Sequence, residues 1–584
     1  MALLPRSRSD AQFGQRRFDP LRRYWSGILQ TPWSLIVLCI AFAVLRVAYI
    51  LHYRIDSDEP QHLHVVWGWT HGFLPYRDVF DNHAPVFQAL CAPLFRLLGE
   101  RAGIVLWMRL AMTPFFVATL WCVKCIVSAY AGRRVGYLSA WLTALFPPFF
   151  FNSIEFRPDQ MWSTLWMAVI ALLVCGRMSP KRAFGTGLIL GLAFAVSMKT
   201  VLMLATLGAA LGGTLLITRD AEWRGKKEGS LALWTLAGLG GMLVIPLLVI
   251  LYFVGVGAGH AMYYCVIQHN IIPGDADWHS VLRALSRLAR WSPVVVIAGL
   301  AIRRRKMPVI LKRRIGFVFL VGAFYYVLLV SFWPILTAED YLPFYPAMAV
   351  TIAPLLLWLC RMVAPAVGVT RWPVVSILML AELAWLIGSN SPFKDQTEDK
   401  IGMVADTLRM TAPTDYVMDA KGETIYRRRP FLPVLERMTL WRLHNGLMED
   451  NIVQRMIETR TPLATARRMP AKVKQFIETN YVPIAYRLRV LGQALPLSSS
   501  RTPQSIGFEV TIPARYALVT REGSADGVLD GVTLDGPRAL EVGHHEFVRG
   551  SATHGPVTLI WANAWERGYS PFCEIKADTS TQQD

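Results

Sequence analysis

Acidic residues are concentrated in one stretch of the sequence, directly after its first long apolar segment. The stretch begins with Asp56-Ser57-Asp58-Glu59 and continues with Pro75-Tyr76-Arg77-Asp78 and Asp81-Asn82-His83-Ala84-Pro85. Carboxylates can accept a proton from a hydroxyl group or hold a divalent cation. A solvated loop in which Asp81 caps a helix is the simpler interpretation. An Asp-x-Asp-Glu run beside a membrane nevertheless favours a functional role.

Charged and aromatic residues also mark three later junctions between apolar segments. These junctions read Glu155-Phe156-Arg157-Pro158-Asp159, Ser197-Met198-Lys199-Thr200 and Glu339-Asp340-Tyr341-Leu342-Pro343-Phe344-Tyr345. Each has a simple alternative: Arg157 could pair with Asp159, Lys199 could extend to the lipid headgroups, and the tyrosines could form an aromatic belt. Because such residues recur at the outer junctions and rarely in the middle of a segment, we expect an active site that opens at the outer membrane surface.

Eleven apolar stretches would position these residues across a bilayer. They lie near 31–51, 103–130, 135–151, 159–176, 184–198, 202–217, 231–254, 291–302, 315–336, 342–361 and 372–389. The composition agrees, since 53% of the 584 residues are apolar and 17% are charged, against about 25% charged residues in soluble domains. The chain is therefore predicted to be a polytopic α-helical membrane protein with about eleven transmembrane helices.

The distribution of basic residues orients the predicted spans. The formal net charge is +19, and the whole excess lies in the short segments 1–30, 133–134, 177–182, 219–227, 303–314 and 361–371. Basic loops are retained on the cytoplasmic side. The basic tail 1–30 is thus predicted to be cytoplasmic, the outer loop 52–102 faces outward, and an odd number of spans places the chain after about 390 outside. Nucleic acid is not needed to explain the charge.

Two helices are expected in the outer loop 52–102, lying along the membrane surface. Ser57 could cap a helix over 58–71 that stops at Gly72, and Asp81 could cap an amphipathic segment that ends at Gly99. Asp58 would then lie in the first turn of the first helix.

From 391 to 584 the composition turns polar, which predicts an extracytoplasmic domain of mixed α/β structure. An α/β part is expected over about 395–500, where 401–408 has one apolar helical face and 416–418 reads as a strand. A β-rich part is expected over about 505–575, where alternation at 508–512 and three Asp-Gly pairs indicate strands and tight turns.

The cysteines and clustered histidines favour neither a disulfide framework nor a zinc site. The eight cysteines are scattered, and Cys122-x-x-Cys125 lies within an apolar stretch, where packing is favoured over redox chemistry or zinc. His544, His545 and His554 lack a framework of Cys or carboxylate ligands and are interpreted as polar residues.

In the order of its motifs the chain resembles the membrane-embedded GT-C glycosyltransferases of the protein O-mannosyltransferase and lipid A aminoarabinose transferase type. The resemblance covers roughly 30–390. It rests on Asp58-Glu59 after the first span, on Pro75 to Asp78, on Asp81 and Pro85, and on Tyr341 to Pro346. The sequence departs from the aminoarabinose branch at Asn82-His83-Ala84, where that branch has a lysine, and at Pro60-Gln61-His62, where it has an arginine.

The resemblance implies that a hexosyl or pentosyl group is transferred from a polyprenyl-phosphate donor, with inversion, to a lipid, glycan or protein acceptor at the outer face of the bacterial cytoplasmic (inner) membrane. In that scheme Asp58 is the catalytic base. Substrate binding falls to Glu59, Asp78, Asp81, His83, Arg157, Asp159, Lys199, Asp340, Tyr341 and Tyr345. No metal is required, because lysine and arginine can meet the charge of a lipid monophosphate, although Asp56-x-Asp58 would allow a divalent cation.

Two alternative functions stay open. A lipid-linked glycan ligase or polymerase also acts at the outer face, but it typically relies on cations in a large outer loop, whereas the first outer loop here is rich in acids. A transporter or flippase would concentrate ionisable residues near the bilayer midplane. The sequence identifies neither the sugar nor the acceptor.

Overall fold

The computed structural model describes residues 32–218, 228–271, 309–333, 336–366, 371–495 and 505–573, with isolated helical positions between 282 and 300. The predicted basic tail 1–30 lies outside the described residues. The predicted span near 291–302 also lies outside them, apart from isolated positions.

Helices make up most of the chain up to residue 389. They are α1 (Pro32–His52), α2 (Asp58–Thr70), α3 (Val86–Leu98), α4 (Ile104–Leu110), α5 (Thr113–Ala131), α6 (Arg133–Leu145), α7 (Pro147–Asn152), α8 (Pro158–Val174), α9 (Pro180–Val196), α10 (Thr200–Thr218), α11 (Glu228–Gly255), α12 (Gly259–Tyr263), α13 (Val309–Phe332), α14 (Phe344–Ala366) and α15 (Arg371–Ser389). A short π-helix, Tyr264–Gln268, follows α12, and a 3-10 turn, Ala338–Tyr341, precedes α14.

Several of these helices can cross a membrane by their length and composition. Within the described residues five segments qualify, namely Ile104–Ala131, Thr200–Thr218, Ala232–Gly255, Val309–Phe332 and Phe344–Val363. The prediction of a helical membrane protein is confirmed at this level. The number of about eleven spans stays a prediction.

Helices α9 and α11 touch through their backbones. A Cβ atom on Gly187 of α9 would overlap the carbonyl oxygen of Gly238 in α11, and one on Gly241 would overlap the carbonyl oxygen of Phe184. Small residues let helices in a membrane approach this closely and pack over a long contact. The contact holds α9 against α11, and the turn that carries Lys199 follows the end of α9.

The two predicted outer-loop helices are present as α2 and α3. Ser57 has the N-cap position of α2, as predicted, but its side chain makes no capping hydrogen bond. Instead, Asp56 Oδ1 accepts from the Asp58 backbone N–H at 3.0 Å, and Glu59 Oε1 accepts from the Asp56 N–H at 2.8 Å. These two bonds satisfy two N–H groups at the start of the helix. Helix α3 starts after Pro85, so Asp81 does not cap it, and the Asp81 carboxylate accepts from the His83 N–H at 3.0 Å.

Glycines end the loop helices as the sequence predicts. Gly72 follows α2 with φ +78°, and Gly99 follows α3 with φ +69°. Both values lie in the left-handed region, where glycine carries no steric cost.

The C-terminal domain is a mixed α/β domain, as predicted. Its helices are α16 (Glu398–Met410), α17 (Arg437–His444), α18 (Ile452–Glu458), α19 (Ala471–Asn480) and α20 (Ala562–Glu566). Its strands are β1 (Val417–Met418), β2 (Leu463–Thr465), β3 (Tyr481–Ala485), β4 (Leu488–Ala494), β5 (Ser505–Val510), β6 (Ala514–Val519), β7 (Gly527–Leu529), β8 (Val532–Thr533), β9 (Arg538–Leu540), β10 (Gly543–Arg549) and β11 (Thr558–Trp561).

The strands form two sheets. The larger sheet has the order β1-β2-β4-β11-β6-β9, with β3 paired to β4, and the smaller has the order β5-β10-β7-β8. Strand β4 pairs antiparallel with β11, with Ala494 opposite Thr558. The α/β part and the β-rich part expected from the sequence therefore share a sheet, and they also share one hydrophobic core.

Candidate active site

Charged side chains from separate loops meet where the bundle contacts the C-terminal domain. This charged cluster consists of Asp56, Asp58, Glu155, Arg157, Asp159, Lys199, Glu339, Asp340 and Lys421. The members come from the junction that leads into α2, the junction that leads into α8, the turn between α9 and α10, the turn before α14 and the C-terminal domain.

Arg157 lies at the centre of the charged cluster. Its Nη2 lies 3.0 Å from Asp58 Oδ2, its Nη1 lies 3.1 Å from Asp56 Oδ1 and 3.5 Å from Glu339 Oε1, and its Nε lies 3.4 Å from Asp159 Oδ2. Burial alone would lower the pKa of Arg157, but the carboxylates of Asp58 and Asp159 raise it well above its ordinary value. This guanidinium therefore holds four acids from three segments in one place.

Lys199 supplies a second cation to the charged cluster. Its Nζ lies 2.5 Å from Asp340 Oδ1 and 3.3 Å from Asp159 Oδ1. Burial would lower the pKa of Lys199, but these two carboxylates raise it above its ordinary value. The other Asp340 oxygen accepts from the Thr337 N–H at 2.9 Å, which fixes the turn that carries it.

Asp58 lies between two cations. Its Oδ2 faces Arg157 at 3.0 Å and its Oδ1 faces Lys421 Nζ at 2.6 Å, while 26% of its side chain stays exposed. Burial would raise the pKa of Asp58, but Arg157 and Lys421 hold it well below its ordinary value. The Asp58 carboxylate is therefore ionised at neutral pH.

Glu59 faces away from the charged cluster, although it was expected to bind substrate. Its Oε1 accepts from Arg109 Nη2 at 2.5 Å and its Oε2 accepts from Arg109 Nε at 2.7 Å. The backbone N–H groups of Asp56 and Phe156 complete its partners, each at 2.8 Å. Glu59 is fully buried, so its geometry is that of a structural residue and leaves no oxygen for a substrate hydroxyl.

Asp78 is a second residue of the expected set that the structure does not bring to the charged cluster. Its carboxylate accepts from the guanidinium of Arg77, at 2.9 Å for both contacts, and from the Leu74 N–H at 2.9 Å. The Arg77 side chain is exposed. Asp78 thus closes a turn on the outside of the loop.

Asp81, His83 and His62 form a polar group next to the charged cluster. Asp81 Oδ1 lies 3.0 Å from His83 Nδ1, and the His83 ring lies 4.8 Å from the His62 ring. Burial would lower the pKa of His83, but the hydrogen bond with Asp81 raises it above its ordinary value. Burial, His83 and Arg157 instead lower the pKa of His62 well below its ordinary value. The pKa values of these two neighbouring imidazoles are therefore shifted in opposite directions.

Tyr341 and Tyr345 lie in an aromatic group at the start of α14. Their rings are 6.5 Å apart, and the Tyr345 ring lies 5.5 Å from Phe146 in an edge-to-face arrangement. Both rings therefore pack against other aromatic rings, as an aromatic belt would produce.

The sequence matches no protein-family model and no curated protein. Among solved structures, the chain is similar to ArnT from Cupriavidus metallidurans bound to undecaprenyl phosphate, with a TM-score of 0.53 at 14% identity, covering 81% of this chain and 100% of that chain. The chain has the fold of ArnT. The expected GT-C fold is thereby confirmed, and at this identity the likeness shows the fold alone.

Two further solved structures are similar at lower scores. The apo form of the same ArnT has a TM-score of 0.42 at 13% identity, covering 79% of this chain and 97% of that chain. The oligosaccharyltransferase from Archaeoglobus fulgidus, in complex with Zn and sulfate, has a TM-score of 0.42 at 11% identity, covering 76% of this chain and 71% of that chain.

Three acids of this GT-C fold could hold a divalent cation. One oxygen each from Asp56, Glu155 and Glu339 lie within 4.8 Å of one another. Glu155 is fully buried, and neither of its oxygens accepts a hydrogen bond from the described residues. Burial and the neighbouring Asp56 raise the pKa of Glu155 well above its ordinary value. Oxygen ligands suit a hard cation, but Arg157 already supplies positive charge here, so the expectation that no metal is required stays a prediction.

Sequence reasoning missed two residues of the site. His62 lies four residues after Asp58 on α2, so the helical period alone would have placed both side chains on one face. Lys421 lies 363 residues from its partner Asp58, and no local pattern marks it.

Proposed function

We propose that this protein is a membrane glycosyltransferase that transfers a hexosyl or pentosyl group from a polyprenyl-phosphate donor to a lipid, glycan or protein acceptor. Its site would open at the outer face of the bacterial cytoplasmic membrane, with the N-terminus inside and the C-terminal domain outside. The likeness to the fold of ArnT, which was solved with undecaprenyl phosphate bound, supports a lipid-phosphate donor.

The observation that carries the proposal is the position of Asp58 within the charged cluster. An ionised carboxylate that is one-quarter exposed, at 26%, can accept the proton of an acceptor hydroxyl once it is released from a cation. The hydroxyl oxygen then forms a bond to the anomeric carbon. The bond from that carbon to the phosphate oxygen breaks, and the electron pair leaves with the lipid phosphate. Attack opposite to the leaving group inverts the anomeric centre.

The cations of the charged cluster suit the departing group. Negative charge develops on the phosphate oxygen as the sugar leaves, and fixed cations in a partly desolvated site stabilise that charge. Arg157 and Lys199 are held by Asp159 at 3.4 Å and 3.3 Å. The two cations therefore lie close to a common acid and could face one phosphate group.

The experiment is a comparison of cell envelopes by mass spectrometry. Cells that carry the wild-type protein, the Asp58→Asn variant or no protein are compared for lipids, polysaccharides and glycoproteins. We expect one glycan to lose a sugar both in the variant and without the protein, while the variant stays present in the membrane at the wild-type level. Identical glycans in all three strains would contradict the proposal.

A further inference from the structure

A loop of the C-terminal domain packs directly on the outer loop 52–102. This C-domain loop comprises residues 419–429. The Ile425 carbonyl oxygen lies 2.7 Å from His64 Nδ1 on α2, and the Tyr426 hydroxyl donates to the Arg101 carbonyl oxygen at 2.7 Å. The Arg101 N–H donates back to the same hydroxyl at 3.0 Å. The soluble domain is thus fastened to the helix that carries Asp58.

The backbone of the C-domain loop is fixed from within by Asp419. This buried carboxylate accepts from the Gly422 N–H at 2.6 Å, from the Thr424 N–H at 2.9 Å and hydroxyl at 2.7 Å, and from Arg429 Nε at 3.1 Å. Gly422 has φ +77°, and a Cβ there would lie 2.8 Å from the His64 side chain. The loop therefore holds the backbone around Lys421 against α2, and the Lys421 side chain is the part that can move.

Lys421 occupies the oxygen of Asp58 that Arg157 leaves free. The Lys421 Nζ lies 2.6 Å from Asp58 Oδ1, and Arg157 Nη2 lies 3.0 Å from Oδ2. A carboxylate with a cation on each oxygen is a poor proton acceptor, because protonation would give up both attractions. In this arrangement Asp58 is therefore paired rather than ready to act as a base.

A lysine is well suited to leave such a pair. Its charge is compact and sits on a flexible four-carbon side chain, whereas a paired arginine is held by a rigid fork. The Lys421 side chain is 12% exposed, so it borders the open part of the site. An incoming phosphate would offer it a second anion without any movement of the C-domain loop backbone.

We propose that Lys421 exchanges partners, pairing with Asp58 when the site is empty and with the phosphate of the lipid donor when the donor is bound. The exchange rests on the proposed function, since it requires a lipid-phosphate donor. It means that donor binding itself releases Asp58 to receive the acceptor proton. The C-terminal domain then contributes a donor-binding residue to the active site.

A lysine that only neutralises Asp58 predicts a different coupling between the two residues. If Lys421 stays on Asp58 in the donor complex, its removal should leave phosphate binding to the wild-type protein nearly unchanged. If Lys421 exchanges partners, the Asp58 carboxylate competes with the phosphate for the lysine. Removal of Lys421 should then weaken phosphate binding more in the Asp58→Asn background than in the wild type.

The test is a double-mutant cycle on the full-length protein in detergent, with undecaprenyl phosphate as the probe. The proteins are the wild type, Lys421→Met, Asp58→Asn and the double variant. Arg428→Met is the matched control, because exposed Arg428 belongs to the same loop and lies over the Phe73 ring at 5.2 Å. We expect Lys421→Met to weaken binding about threefold in the wild type and roughly tenfold or more with Asn at 58, as for a lost charged hydrogen bond.

Turnover gives a second measurement. A lysine with only a structural role would not change the KM for the donor more than kcat. With a polyprenyl-phosphate sugar as donor, Lys421→Met should raise the KM for the donor more than it lowers kcat, and Arg428→Met should leave both within about twofold. Inorganic phosphate as a competitor separates the two phosphate sources. We expect it to displace the lipid only weakly, because it lacks the apolar chain.

The outcomes separate the exchange from the proposed function. An effect of Lys421→Met that is equal or smaller with Asn at position 58, or equal to that of Arg428→Met, would overturn the exchange while the lipid-phosphate donor stands. A wild-type protein that binds no undecaprenyl phosphate would overturn the proposed function and the exchange with it.

Discussion

Two neighbouring acids, Asp58 and Glu59, face opposite sides of the first turn of α2 and have opposite environments. On the core side, fully buried Glu59 has two contacts with Arg109 and two with backbone N–H groups, at 2.5–2.8 Å. On the site side, Asp58 is 26% exposed and is paired with cations from two distant segments. Exposure and the kind of partner therefore distinguish the proposed base from its structural neighbour.

The largest effect is expected on turnover, from a change at Asp58 on the site side of α2. Replacement of the proposed base, Asp58→Asn, should lower turnover by about 10²–10⁴-fold. Release of undecaprenyl phosphate from a polyprenyl-phosphate sugar measures the rate. Asp78→Asn is the matched control in the same loop, and we expect its rate to stay within about twofold of the wild type, since surface changes of this kind have small effects. Equal losses in both variants would contradict the assignment of Asp58.

The second-largest effect is expected on stability, from a change at Glu59 on the core side of α2. Glu59→Gln should cost on the order of 3 kcal/mol of stability, because it leaves the buried Arg109 guanidinium without its counter-charge. Thermal unfolding and resistance to proteolysis in detergent measure this loss. The fraction that remains folded should keep a kcat near the wild-type value. A Glu59→Gln protein that is stable but inactive would place Glu59 in the chemistry and remove the contrast.

A pH-dependent effect on stability is expected from His83, at the edge of the site. The pKa of His83 is raised in the folded protein, mainly through the hydrogen bond with Asp81, so its stabilisation is fully present below the ordinary value of 6.5 and is lost as pH rises through the folded pKa. His83→Gln should therefore cost on the order of 1 kcal/mol at pH 6 and much less at pH 9. Thermal unfolding at both pH values tests this, and a cost that stays constant with pH would contradict it.

The smallest effect concerns the aromatic group. Tyr345→Phe removes only the hydroxyl and keeps the ring packed on Phe146, so turnover should stay within about twofold and stability within about 0.5 kcal/mol. Turnover and thermal unfolding test this with Tyr341→Phe beside it. A loss of tenfold or more in either variant would place that hydroxyl against a substrate.

The sequence predicted features that depend on local pattern. Apolar runs gave the helices, glycines gave the ends of α2 and α3, and charged residues at the junctions included Asp58, Arg157 and Lys199, which the structure brings together. The resemblance to GT-C enzymes predicted the fold. Each of these follows from residues that are close in the chain.

Other features depend on contacts between distant segments and were not predictable in this way. Whether Asp58 or Glu59 faces the site depends on the rotation of α2, which is fixed by Arg109 on a later helix. Asp56 and Ser57 are both good capping residues, but the Asp56 side chain accepts from the Asp58 N–H, whereas the Ser57 side chain makes no capping hydrogen bond. Lys421 reaches Asp58 only because the C-terminal domain folds onto the outer loop.

The backbone contact between α9 and α11 has a consequence for the route of a hydrophobic substrate. Glycines close the contact between α9 and α11, so the tail of the proposed polyprenyl-phosphate donor would find no gap between these two helices. We therefore expect the proposed donor to enter between other helices. Larger residues at the contact between α9 and α11 would disturb the packing of the bundle and would not open a passage.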